Sequence, residues 1–154
     1  MKKALLGFGL GLVLVSSAFA QDKEQDRVEN AGTVMKEILN APDGIPQSVL
    51  DKADCVVILP SVVKFAIGIG GSYGRGLMTC RGGSTFHGKW GPPTMMALEG
   101  STLRADNGAN KNLYGKEVKA SDIVFKNVVP VPDSAKALLG TLQKASPVNK
   151  SKGN

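Results

Sequence analysis

Residues 53–81, ADCVVILPSVVKFAIGIGGSYGRGLMTCR, decide how this chain folds. Cys55 to Leu59 is a continuous apolar run stopped by Pro60, the pattern of a strand buried on both faces. Val62 to Ile69 and Gly74 to Arg81 then read as two strands joined by a tight glycine turn. Glycine at 68, 70, 71, 74 and 76 lets adjacent backbones approach closely and a small sheet bend. Cys55 and Cys80, the only cysteines, frame the block.

Working outward, Val28, Ala31, Val34, Met35, Ile38 and Leu39 recur at three- and four-residue spacing, which predicts a helix from about Asp22 to Leu39, ended by Pro42, Gly44 and Pro46. A short helix is expected over Gln47–Ala53. After the hairpin, Gly82–Pro93 carries turn residues throughout and Thr94–Leu98 reads as one more strand. Asp106 is placed to cap a short helix that Gly115 terminates, and Ser121 to cap a turn through Val124. A last helix over Ser134–Lys144 turns Ala135, Leu138, Leu139 and Leu142 inward. The class is α+β: a small curved antiparallel or mixed sheet, an N-terminal amphipathic helix and short C-terminal helices.

Three stretches together resemble the SYLF domain, a family of lipid-binding modules, some of which also bind actin filaments. They are the hairpin block, the preceding VENAGTVMKEILNAPDGIPQSVLDKADCVVILPS, and the later LEGSTLRADNGANKNLYGKEV. Family members usually carry further short strands between the loop Trp90-Gly91-Pro92-Pro93 and the segment from Ser101, with a leucine-Glu-Gly stretch on either side. Here Leu98-Glu99-Gly100 occurs once, so the resemblance implies an incomplete SYLF-like domain. Missing strands would leave the hairpin of residues 62–81 with an open apolar edge, which invites self-association.

The first 20 residues read as a secretory signal peptide: Lys2 and Lys3, an apolar run from Ala4 to Val15, and a small-x-small site at Ala18-Phe19-Ala20. A retained N-terminal anchor is the alternative. Cleavage leaves a SYLF-like domain over 21–146 and a lysine-rich tail over 147–154, expected to be flexible. The chain is then exported, to the periplasm or beyond. An exported chain with two cysteines has one possible internal disulfide, Cys55–Cys80; two reduced cysteines on buried strands fit the sequence equally.

Charge is uneven: residues 21–63 hold four basic and eight acidic side chains, 64–100 four and one, and 101–154 nine and four. A basic second half permits attraction to phosphate groups. Lys64, Arg75, Arg81 and Lys89 are interleaved with Tyr73, Phe86 and Trp90, a mixture that suits an anionic phospholipid interface. It suits single-stranded nucleic acid as well, which export disfavours, or simply core aromatics with cations at strand ends. Lys64, Arg75, Arg81, Lys89 and Trp90 are therefore the candidate lipid-binding residues. Family members with a basic amphipathic N-terminus use it for membrane attachment; a signal peptide and an acidic helix stand there here, so attachment falls to the basic half.

Catalytic readings fail on context. Gly70-Gly71-Ser72-Tyr73-Gly74 has the letters of a nucleophile elbow, but a strand follows where a helix is required, and His87 comes without an intervening acid. The glycines lack the spacing of a dinucleotide fingerprint and the Lys-Ser/Thr of a P-loop. Cys80 and His87 are too few for zinc, and Asp106, Asn107 and Asn110 do not follow EF-hand order. The expectation is a non-enzymatic, cofactor-free binding protein; a secreted protein-interaction domain without specific lipid affinity is the alternative.

Overall fold

A computed structural model describes residues 8–65 and 70–151. Five helices, α1 (Phe8–Asn40), α2 (Gln47–Leu50), α3 (Asn107–Tyr114), α4 (Ala120–Lys126) and α5 (Lys136–Ala145), surround four strands, β1 (Cys55–Phe65), β2 (Gly71–Cys80), β3 (Thr94–Gly100) and β4 (Thr102–Ala105). A 3-10 turn, Asp133–Ala135, leads into α5. The strands form one antiparallel meander in the order β1-β2-β3-β4. The class is α+β, as the sequence implied.

Val28, Ala31 and Met35 of α1 are buried and join Leu138, Leu139 and Leu142 of α5, Ala109 and Leu113 of α3, and Ile58, Leu77 and Met95 of the sheet in one core. Ile38, expected inward, is exposed. The helix ends where Gly44 comes under the Ile38 carbonyl: a Cβ there would lie 2.2 Å from that oxygen. α1 begins earlier than the apolar spacing suggested, since helical backbone continues upstream to Phe8. α2 is shorter than expected, and α4 starts at Ala120 with Lys119 at its N-cap position, one residue before Ser121.

Three strand expectations change. Pro60 does not stop the first strand, and 55–65 is continuous, with the register slipping between Ile58 and Ser61. A bulge absorbs the proline, and β1 lies at a sheet edge, where a missing N–H is tolerated. For the same reason β1 is not buried on both faces, and Val57 is exposed. The hairpin is thus built from 55–65 and 71–80, with residues 66–69 outside those described. β3 runs two residues beyond Leu98 and turns into β4, a strand the sequence reading lacked.

The strand glycines have the role expected of them. A Cβ at Gly76 would stand 2.0 Å from the Ile58 carbonyl oxygen, and one at Gly74 2.8 Å from that of Ser61, so the bulge lies directly on β2. Cys55 and Cys80 are register partners and are disulfide-bonded. Arg81 N–H donates to the Asp54 carbonyl at the neighbouring pair, which makes 55/80 a non-hydrogen-bonded pair, the closer of the two antiparallel geometries. Asp106 caps α3 by accepting from Ala109 N at 3.0 Å, and Gly115 ends it with a φ of 67°.

Residues 147–151, expected as part of a flexible tail, are tied to the fold. Asn149 is buried and donates to Asp54 Oδ1 at 2.6 Å and to the Phe86 carbonyl at 2.9 Å; Lys150 Nζ reaches Asp51 Oδ2 at 2.7 Å. Residues 152–154 lie outside those described.

Candidate functional site

The five candidate lipid-binding residues do not form one surface. Arg81 is 0 % exposed and Trp90 5 %, so neither faces solvent. The Arg81 guanidinium lies over the Trp90 ring at 4.3 Å and donates to the Ala53 carbonyl at 3.2 Å, the Ser146 carbonyl at 3.0 Å and Ser146 Oγ at 2.7 Å. Trp90 Nε1–H donates to the same Ser146 carbonyl at 3.3 Å. Ser146 Oγ in turn donates to Asp51 Oδ1 at 2.8 Å. Hydrogen bonds from Lys150, Ser146 and Gln47 hold the Asp51 carboxyl down to about 2. Burial lowers the Arg81 pKa, and the nearby Asp51 and Asp54 charges oppose that. This is a structural knot joining the end of the hairpin to the C-terminal segment, and it removes Arg81 and Trp90 from any interface.

The remaining three are exposed but dispersed. Lys64 pairs with Ser72, and Arg75 stands three residues further along β2, so alternation puts the two on opposite faces of the sheet. Arg75 is also bound to Asp106 Oδ2 at 2.8 Å. Lys89 belongs to the opposite end: its carbonyl accepts from Gly82, beyond Cys80, whereas Lys64 pairs at Ser72. The eight steps along the strand from Ser72 to Cys80 separate them by about 26 Å at roughly 3.3 Å per residue.

The loop that carries Lys89 meets a second lysine-bearing segment, which the sequence reading did not group with it. The C-terminal end of α4 meets the loop 82–91, where the Phe86 and Phe125 rings stand edge to face at 5.8 Å and a Cβ at Gly91 would lie 3.3 Å from Asn127 Oδ1. Phe125 is 58 % exposed, and Val128 and Val131 are exposed beside it. Lys116 Nζ donates to the Val128 carbonyl at 3.3 Å, Lys119 precedes α4, and Lys126 bonds Asp122 Oδ1 at 2.8 Å. That bond lowers the Asp122 pKa and raises that of Lys126, which keeps both ionised at neutral pH. Phe125, Lys126, Val128 and Val131 fall within seven residues, a short apolar run interrupted by one lysine, with Lys116 and Lys119 upstream. That run was the available signal.

The serine and histidine that the nucleophile-elbow letters would need lie at opposite ends of the hairpin. Ser72 lies inside β2 opposite Lys64, and His87 is in the loop at the other end of the hairpin, so no base faces that hydroxyl. Among the described residues no cluster of three or more His, Cys, Asp or Glu side chains could hold a metal ion, and no helix is long and apolar enough to cross a membrane.

The family model described as Ysc84, Las17-binding protein actin regulator, matches residues 93–145. Over those residues the chain is similar to that family, the SYLF family. The SYLF match begins after the glycine hairpin and spans β3, β4, α3, α4 and all of α5, about a third of the chain. Lys116, Lys119 and Lys126, with Phe125, Val128 and Val131, fall inside it. No curated protein and no solved structure matches the chain.

Proposed function

We propose that this chain is an exported, non-enzymatic binding protein that associates peripherally with anionic phospholipid headgroups through the α4 corner. The observation that carries the reading is Phe125, more than half exposed, followed in sequence by Lys126 and packed against the loop that carries Lys89, in a family-matched segment that also holds Lys116 and Lys119. An aromatic ring and two valines enter the headgroup region while the ammonium groups meet phosphates, each contributing about 1 kcal/mol near an anionic surface. Export is part of the same proposal. Among residues with described side chains, the first buried one is Glu24, beyond the proposed cleavage after Ala20. It would also leave Asp22 and Glu24 in the first turn of α1, where the helix dipole favours acids.

Sedimentation with liposomes tests the membrane reading. Recovery should rise with the fraction of anionic lipid, fall as salt shortens the Debye length below about 8 Å, and drop when Lys89, Lys116, Lys119 and Lys126 are replaced together by glutamine. Equal recovery on neutral and anionic vesicles would sink it.

A second reading, a protein contact through the sheet edge, is favoured by β1. It pairs only with β2 and carries exposed Val57 and Val62. An edge of that kind is a template for another strand. Light scattering should then show a mass that grows with concentration and returns to the monomer value in Val62→Lys; a constant monomer mass in the parent argues against self-association.

A further inference from the structure

A cleft of roughly 690 Å³ separates α1 from the far half of the β1–β2 hairpin, at the end remote from the α4 corner. α1 turns Lys23, Asp26, Arg27 and Asn30 toward it, a spacing of i, i+3, i+4 and i+7 that makes one stripe along the helix. Opposite stand Val63 and Tyr73, which are register partners. They project from the sheet face that buries Ile58 and Leu77 nearer the core, because Tyr73 and Leu77 are four residues apart. The face that is closed at Leu77 is left half open at Val63 and Tyr73, 52 % and 50 % exposed. α1 opposes them with charges. A polar stripe across from apolar wall is poor helix-on-sheet packing and a good lining for an amphiphile, and the volume lies within the range of small-molecule sites.

The charges favour an anion. Arg27, only 14 % exposed at its side chain, is hydrogen-bonded to Glu24, and Arg75 to Asp106; neither carboxylate lines the cleft. Burial and then the Arg75 charge lower the Arg27 pKa, so the two guanidinium groups feel one another. Of the two acids that do line the space, Asp26 and Glu99, the second is taken by Arg104. We propose that this cleft binds a single-chain amphiphile with an anionic head, the carboxylate or phosphate lying between Arg27 and Arg75 and the hydrocarbon over Val63 and Tyr73. The ligand is a dissolved molecule, so the site is independent of membrane docking at the α4 corner.

Calorimetric titration of the purified protein with decanoate and decyl phosphate, both below micelle formation, tests this against decanol and inorganic phosphate. The anionic amphiphiles should bind, and decanol and phosphate about tenfold more weakly or not at all, as expected when one charge-assisted contact or the apolar body is missing. Arg75→Gln should weaken decanoate about tenfold. Because that change also removes the bond to Asp106, Lys23→Gln on the exposed helix surface is the second variant and should weaken binding without altering the unfolding curve. Decanol binding as tightly as decanoate, or parental affinity in both variants, overturns the proposal. Liposome recovery without decanoate binding also overturns it while leaving the membrane reading intact; decanoate binding without liposome recovery supports it and sinks that reading.

Discussion

Arg81→Ala separates a residue that holds the fold from one that meets a ligand. The side chain is wholly buried, makes three hydrogen bonds of 2.7–3.2 Å, and stacks on Trp90 at 4.3 Å. A hydrogen bond from a charged donor is worth about 1.5–3 kcal/mol and a desolvated cation–π contact about 2, so the gross interaction is large. Removing the guanidinium from water offsets several kcal/mol of it. Truncation leaves two Ser146 acceptors and the Ala53 carbonyl without their donor and opens a void beside Trp90, and the net loss should be about 3–5 kcal/mol. Urea unfolding read by Trp90, the only tryptophan, measures this directly. Arg81→Lys should recover only part, because a point charge cannot reach the acceptors on both sides as the fork does. A loss below about 1 kcal/mol, or parental stability combined with lost liposome recovery, would refute the reasoning and return Arg81 to the surface.

Reducing the Cys55–Cys80 disulfide, which closes a 25-residue separation, should lower stability by about 3.5 kcal/mol on the chain-entropy estimate, read as a shift in the urea midpoint with and without reductant. Gly76→Ala places a methyl 2.0 Å from the Ile58 carbonyl and should cost about 1–3 kcal/mol, whereas Gly140→Ala in α5, with nothing within 4 Å, should stabilise by up to about 1 kcal/mol. Asp51 has its pKa lowered from 3.8 to about 2 in the fold, so its contribution is complete above pH 4 and lost as pH falls through 2. Unfolding curves taken between pH 4 and pH 2 should show that loss in the parent and a flatter slope in Asp51→Asn.

Most of the fold was legible because the signals were local. The spacing of Val28, Ala31 and Met35, the Asp106 cap and the Gly115 terminator each act within a few residues of themselves. Pro60 misled for a physical reason: a proline ends a central strand but is tolerated at a bulge on an edge, and only the sheet order shows that β1 is an edge. The site was far less legible. Arg81 and Lys89 are both cations in one glycine-rich stretch interleaved with aromatic residues, yet the Ser146 carbonyl, 65 residues after Arg81, draws the first inside and leaves the second in water. Whether a charge is buried depends on distant acceptors, and no local pattern carries that. The α4 corner was missed for the converse reason, since the loop that carries Lys89 meets α4 and Asn127 through Phe86 and Gly91, contacts between residues some 36 to 39 positions apart.

The shortened centre implied by the SYLF resemblance has a specific structural counterpart. Leu98-Glu99-Gly100, the single copy of a stretch that relatives carry twice, ends β3, and Gly100 at a φ of 66° turns the chain directly into β4 through Ser101. With Glu99 paired to Thr102, the join is a tight hairpin of the kind that needs glycine at a positive φ, and nothing about it is strained or frayed. Closing the chain there leaves a sheet with two open edges, β1 and β4, and Ala97, Leu98 and Glu99 of the same turn line the cleft beneath α1. The tight turn and the β4 edge are thus adjacent consequences of the join at Gly100, whereas the β1 edge and the half-exposed Val63 and Tyr73 belong to the other hairpin. A contraction that merely lost strands would leave that face apolar and exposed. Here the helix above it carries Lys23, Arg27 and Asn30 beside Asp26, and that charged stripe is what the proposed anionic amphiphile would need opposite an apolar wall.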